Sequence, residues 1–280
     1  MTVLDVLQAS TDYFNKRQVD SARLNAEHLL AHVLGRKRIE LYLEFDRALT
    51  ESELVPLREL VRRRGEGEPL QHLLGTVEFC GHVFVCDKRA MVPRPETEEL
   101  VELLSSRLQT STARLRIVDV GTGSGVIALT LAGKFPHATV IGTDISDEAL
   151  ELAGENAARL GLIDRVQFVK TNLLENLTER FDVIVANLPY IAMNDRNSLS
   201  REVLNDPEIA LFGGEQGAEV VQALIDQAQG RLSPGGLLAL EIGLNQREMF
   251  QGILEQKKYK DIEAKNDYSG RPRFLFARYG

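Results

Sequence analysis

At 280 residues the chain has room for one large domain or two smaller ones, and its 44% hydrophobic content supplies a substantial core. A formal charge of −8 gives no general attraction for a phosphate backbone, and two cysteines are too few for a disulfide scaffold. The start, Met1-Thr2-Val3-Leu4-Asp5, lacks the basic end and apolar core of a signal peptide, and no apolar run approaches a membrane span. A cytoplasmic location is the expectation.

Residues 3–64 read as helices throughout. Val3, Leu4, Val6 and Leu7 begin an apolar stripe that resumes at Leu24, His28, Leu29, His32 and Val33 in steps of three and four. Gly35 stops that helix, residues 37–43 carry a short one, and Thr50 with Glu53 forms a capping-box pattern opening the next. The break Gly65-Glu66-Gly67-Glu68-Pro69 closes it. A helical domain over residues 1–75 follows, near neutral in charge. It has no paired carboxylates and no nucleophile beside a base, so recognition or a lid suits it better than catalysis. Arg58, Arg62, Arg63 and Arg64 read as a solvated helix end near its C-terminal dipole. His28 and His32 share a helical face, but no Glu or Cys completes a zinc pattern, and no metal site is expected.

Residues 76–90 read as a linker. Two short β-like runs flank Gly81 as a hairpin, with Cys80 and Cys86 as small hydrophobes. Residues 91–280 then form a third segment. It begins with Pro93-Arg94-Pro95-Glu96, where Pro95 or Glu96 opens a helix with acids in its first turn, or the prolines stiffen a loop over a cofactor.

Arg116–Val120 is a strand, followed at once by Gly121-Thr122-Gly123-Ser124-Gly125 and a helix over residues 126–132. Strand, glycine turn and helix make a nucleotide-cofactor unit, since glycines let a ligand approach the backbone. The spacing G-x-G-x-G differs from the G-x-G-x-x-G of dinucleotide binders, which weighs against a dehydrogenase. Asp119 inside the strand is a structural or a cofactor-side carboxylate. A second strand, 139–143, ends in Asp144, whose carboxylate can accept from both hydroxyls of a ribose. Beyond a third strand at 166–169, Asn172 and Leu173 are placed to edge and cover an adenine.

A fourth strand, residues 181–186, ends at Asn187-Leu188-Pro189-Tyr190. Residues past the carboxyl end of a buried parallel strand face the ligand crevice of an open α/β sheet. Here the Asn187 side-chain oxygen and a backbone carbonyl can act together as fixed acceptors for an NH2 group. A strand-ending turn with a capping Asn and a packing Tyr is the plainer alternative. Residues 237–242 and 273–278 supply the last two strands, expected to form an antiparallel edge on an α/β doubly wound, mostly parallel sheet.

Together these residues resemble the PrmC/HemK family of class I S-adenosylmethionine-dependent methyltransferases, which modify the glutamine of peptide chain release factors. The resemblance spans nearly the whole chain. It rests on residues 69–75, Val92-Pro93-Arg94-Pro95-Glu96-Thr97-Glu98, Asp119–Gly125, Asn187–Tyr190, residues 206–211 and residues 267–271. It implies a seven-stranded sheet and S-adenosylmethionine held by Gly121, Thr122, Gly123, Ser124, Gly125, Asp144, Asn172, Leu173 and Asn187. The family's Asn-Pro-Pro-Tyr motif, which binds the substrate glutamine, falls on Asn187, Leu188, Pro189 and Tyr190.

Two positions depart from the family pattern. Leu188 replaces the first Pro, which relaxes the turn but keeps the carbonyl. Asn172 stands where Asp is frequent, keeping an acceptor and losing a charge. The implied partner is a release factor, with no nucleic acid, no membrane and a monomeric enzyme. The rival is an amino-methyltransferase acting on adenine N6 or guanine N2, where a similar turn holds a planar amine; the acidic charge speaks against it.

Overall fold

The computed structural model describes residues 1–109 and 114–280. The chain divides into two compact units: Met1–Thr76 with Ser200–Asn205, and Val77–Leu199 with Asp206–Gly280.

In the first unit the apolar periodicity folds as α1 (Val3–Lys16), α2 (Ala22–Leu34), a 3-10 turn (Arg38–Leu43), α3 (Glu51–Gly65) and α4 (Leu70–Leu74). The expected caps are present. Glu53 accepts the Thr50 backbone N–H at 2.8 Å, and Gly35 ends α2 in the left-handed region at φ 61°. A second capping box, between Thr2 and Asp5, opens α1. Phe14, Leu29, Leu30 and Leu57 are buried in the core of this unit.

Two features depart from expectation. α4 is a short helix following Pro69, where only a break was anticipated. Arg64 is also not solvated, being 4% exposed. Its guanidinium donates to Asn25 Oδ1 at 2.7 Å, the Glu68 carbonyl at 2.9 Å and Glu202 at 2.5 Å. It sits on the inner face of α3, one residue beyond the exposed arginines that its sequence neighbourhood suggested.

The hairpin β1 (Thr76–Phe79) and β2 (His82–Val85) follows, all but Thr76 in the second unit, turning through Cys80 and Gly81, both at positive φ. α5 (Pro95–Leu108) follows with Pro95 at its start. Strands and helices then alternate through β3 (Arg116–Val120), α6 (Val126–Lys134), β4 (Thr139–Asp144), α7 (Asp147–Arg159) and β5 (Val166–Lys170), and β6 (Phe181–Asn187) follows with no helix between. The last third holds α8 (Glu208–Leu211), α9 (Glu219–Arg231), β7 (Leu232–Glu241), α10 (Arg247–Gln256), β8 (Lys260–Asn266) and β9 (Pro272–Arg278).

The seven strands run β5-β4-β3-β6-β7-β9-β8, the first five parallel and β9 antiparallel to both its neighbours. The central strands are buried on both faces. Ile117, Val183 and Val185 pack with Leu100, Leu104 and Leu129 on one side. Val118, Ile184 and Ala186 pack with Leu224, Ile225 and Phe250 on the other.

The last two expected strands do pair antiparallel, but they are not the edge. β8 is, and its sequence Lys260-Asp261-Ile262-Glu263-Ala264-Lys265 hides it, because charged residues suit an exposed edge and break the apolar signal. β7 also begins earlier than expected, at Leu232, with a register irregularity opposite Phe181 and Val183 around the Pro-Gly-Gly segment. Strand order reverses between β3 and β6. The crevice for a ligand therefore opens at their carboxyl ends.

Candidate active site

A cavity of ≈ 270 Å³ lies at those carboxyl ends. The turn after β3 contributes Gly121, Thr122, Gly123 and Ser124 to its lining. Asp144 comes from the end of β4, Asn172 and Leu173 from just after β5, and Asn187, Leu188 and Pro189 from the end of β6. Most of the residues singled out in the sequence thus meet in one place. Gly125 and Tyr190 do not line it.

Gly121, Gly123 and Gly125 all have positive φ, which turns the chain sharply off β3. A Cβ on Gly125 would meet Ala153 Cβ and Leu129 Cδ1, each at 3.1 Å. This glycine therefore serves the packing of α6 against α7. Asp144 accepts the backbone N–H of Gly123 at 2.9 Å and of Ser146 at 3.0 Å, which fixes its carboxylate beside the turn. Each oxygen keeps a lone pair for a further donor. Leu173 is buried at positive φ, and the exposed Asn172 donates to Glu175 at 2.6 Å.

Asp119 proves to be a brace for the glycine turn. It is fully buried and accepts from the Thr122 hydroxyl at 2.6 Å and the Ala128 backbone N–H at 3.1 Å. Burial pushes its carboxyl up to about 7. Asn156, unremarked in the sequence, braces the turn from α7. It donates to the Ser124 carbonyl at 3.0 Å and exchanges bonds with the backbone of Val85 at 2.7 and 3.2 Å, tying the hairpin in place.

The Asn187 side chain is held by Thr97, which also lines the cavity. Its Nδ2 donates to Thr97 Oγ1 at 2.9 Å, and the Thr97 hydroxyl donates to Glu241 Oε2 at 2.8 Å. Asn187 and Glu241 are register partners at the ends of β6 and β7. Glu241 is 2% exposed, and burial pushes it up to about 7. Tyr190 adjoins Glu241 without lining the cavity. Its hydroxyl donates to Glu241 Oε1 at a long 3.4 Å, and the Arg273 guanidinium carbon lies 5.7 Å from its ring centroid. Burial, then the neighbouring Glu241, raises the Tyr190 phenol above its ordinary range. Gln246 anchors the turn by donating to the carbonyls of Tyr190 at 3.1 Å and Gly217 at 2.9 Å.

The helix-start reading of the Pro93-Arg94-Pro95 stretch holds at Pro95. Pro95 starts α5, Pro93 lines the cavity, and Arg94 donates to Asp206 at 2.7 Å, which also accepts the Val92 N–H at 3.1 Å. Thr97 and Glu241 received no role in the sequence reading. The available signal was a carboxylate closing the apolar run Leu237-Leu238-Ala239-Leu240. Among the described residues no group of three or more His, Cys, Asp or Glu could hold a metal ion, and no helix is long and apolar enough to cross a membrane.

Comparison with known proteins gives two family matches: "PrmC N-terminal domain" over residues 5–75 and "Methyltransferase domain" over residues 111–268. A release factor glutamine methyltransferase of Geobacter sulfurreducens is 39% identical, over 100% of this chain and 97% of its own. The Bradyrhizobium diazoefficiens protein of the same name is 42% identical, over 93% and 89%. Among solved structures, a ribosomal protein L11 methylase from Lactobacillus delbrueckii subsp. bulgaricus superposes with a TM-score of 0.52 at 27% identity, covering 69% of this chain and 84% of its own. Near-complete mutual coverage at this identity, together with the matching N-terminal unit, makes the chain a member of the release factor glutamine methyltransferase family.

Proposed function

We propose that this chain methylates the side-chain amide nitrogen (N5) of a glutamine in peptide chain release factors, using S-adenosylmethionine, and so supports translation termination. The observation that carries the reading is the Asn187 amide at the cavity wall, with its nitrogen tied to Thr97 and its oxygen left for a substrate.

The residues present fit the cofactor. A Cβ on Gly121 would fall 2.7 Å from Leu188 Cδ2, so the turn stays without a side chain where it passes Leu188 at the cavity wall. Asp144 offers acceptors to ribose hydroxyls, Leu173 covers an adenine and Asn172 edges it. When bound, S-adenosylmethionine supplies an electrophilic methyl group on a sulfonium.

A carboxamide nitrogen is a poor nucleophile because its lone pair is delocalised into the carbonyl. Two acceptors that grip both N–H bonds fix the amide plane and aim the nitrogen. Orientation of this kind is worth several kcal/mol of a barrier. The same acceptors strengthen as positive charge grows on nitrogen, so they favour the transition state over the ground state. The acceptors are Asn187 Oδ1 and the Leu188 carbonyl, with Pro189 restricting the turn. Tyr190, its hydroxyl near Glu241, packs its ring on the substrate side chain. Arg89 and Asp144 are the ionisable residues among the described cavity lining, and both are committed to hydrogen bonds. The product nitrogen sheds its proton to solvent or backbone after transfer, and no side chain is assigned as its base.

Residues 1–75 act as the release-factor recognition domain, residues 76–90 as the linker and residues 91–280 as the catalytic domain of a cytoplasmic, monomeric enzyme. The net charge of −8 supports a protein substrate over nucleic acid. The test is transfer of a labelled methyl group to purified release factor, beside DNA and tRNA. Label on the release-factor glutamine is expected, and label confined to nucleic acid would overturn the reading.

A further inference from the structure

An asparagine amide has two ends, and only one of them can serve this reaction. With the oxygen toward the cavity, Asn187 accepts from the substrate amide. Turned over, it would present N–H bonds to N–H bonds. The two orientations have nearly the same shape, so packing alone does not choose between them. The choice lies with the hydrogen-bond partner of the side chain, Thr97.

We propose that Thr97 and Glu241 are positioning residues that set the direction of the Asn187 amide, so that its oxygen faces the substrate; this rests on the reading of Asn187 as substrate acceptor. An ionised carboxylate only accepts hydrogen bonds, so the Thr97 hydroxyl at 2.8 Å spends its single proton on Glu241. Thr97 Oγ1 is then left as an acceptor, and the group 2.9 Å away on Asn187 has to be the nitrogen. Polarity fixed at Glu241 is thus relayed through two bonds to the catalytic amide. The placement is costly in its own right. Glu241 closes an apolar strand at 2% exposure and Thr97 is 3% exposed, and a carboxylate buried this far is retained only where its hydrogen bonds repay desolvation. Glu241 does not line the cavity. Its contribution therefore reaches the substrate through Thr97.

The groups facing Glu241 are Thr97 and Glu96 from α5, Tyr190 after β6 and Arg273 on β9. Thr97, Arg273 and Tyr190 favour its ionised form, while burial and Glu96 oppose it. Once protonated, Glu241 can donate to Thr97. The chain of donors can then run backwards and the Asn187 amide can turn over. Acidification through the Glu241 titration should therefore lower kcat and leave substrate binding in place.

The experiment measures methyl transfer to release factor, the affinity for S-adenosylmethionine and the pH profile, for the full chain and four variants. Thr97→Val should lower kcat by about ten- to a hundredfold, the scale of a misdirected hydrogen bond. Its release-factor KM and cofactor affinity should stay within about threefold, a range too small for a lost binding contact. Thr97→Ser should recover most of the rate. Glu241→Gln should lose the acid limb of the profile. Normal kcat in Thr97→Val beside an inactive Asn187→Ala would overturn the positioning role. A fully active Asn187→Ala would instead overturn the acceptor reading beneath it. If Thr97→Val melts below the assay temperature, Glu241→Gln decides: an acid limb kept at its wild-type position rules the relay out.

Discussion

Leu188 Cδ2 stands 2.7 Å from the point where a Cβ on residue 121 would fall. The residue that departs from the family's proline thus packs directly on a cavity-lining glycine, and the two positions constrain each other. Gly121 also sits at φ 72°, where an L-residue costs about 1–2 kcal/mol. Gly121→Ala should therefore lower the melting temperature and weaken S-adenosylmethionine binding. Adding Leu188→Ala should recover part of the affinity without recovering the backbone cost. Thermal melts and calorimetry on the single and double variants check both halves.

Asp144 is held by two backbone N–H groups and points its carboxylate at the cavity. A hydrogen bond to a charged group is worth about 1.5–3 kcal/mol, roughly ten- to a hundredfold in affinity. Asp144→Ala should raise the cofactor dissociation constant by about that factor. Unchanged affinity by calorimetry would remove the ribose assignment.

Asp119 links pH to stability. Its folded-state value is lifted from an ordinary 3.8 to about 7 by burial. The folded chain therefore keeps a proton that the unfolded chain has released. The contribution is fully present below about pH 4 and is lost as pH rises through about 7. Asp119→Asn cannot titrate, so across that window the variant should gain melting temperature relative to the parent chain. A melting difference that stays constant with pH would show that Asp119 is not the group responsible.

In the helical unit, neighbouring arginines should behave in opposite ways. Arg64 is buried with three partners, whereas the Arg58 side chain is 59% exposed in its pair with Glu51. Arg64→Ala strands a buried Asn25 oxygen and a half-buried Glu202, and should cost about 2–4 kcal/mol. Arg58→Ala should stay within about 0.5 kcal/mol, as surface pairs do. Denaturant melts of the two variants measure the contrast.

Much of this was legible in the sequence, because strand, glycine turn and helix follow one another locally. Gly121 to Gly125, Asp144 and Asn187 each announce themselves by residue type at the end of an apolar run. What was hidden depends on tertiary neighbours. Glu241 acquires meaning only from the β6–β7 register that sets it beside Asn187, and Thr97 only from α5 lying over both. Asn156 and Arg64 look like ordinary surface polar residues until their helices dock. β8 was invisible for another reason: an exposed, charged edge strand carries no apolar alternation to read.

Tyr190 gives the same lesson. Its place in the motif says nothing of its neighbours, and the fold sets its hydroxyl near Glu241 and its ring near Arg273. A motif fixes which residues are adjacent in the chain, and the fold decides which way each one faces.

The most direct test of the account separates binding from chemistry in Asn187→Ala. Cofactor affinity is measured by calorimetry and methyl transfer to release factor by single-turnover kinetics. Affinity should stay close to the parent value while the transfer rate falls by about ten- to a thousandfold, as for loss of one oriented hydrogen bond in a transition state. An unchanged transfer rate, or a loss of cofactor affinity that matches the loss of rate, would contradict it.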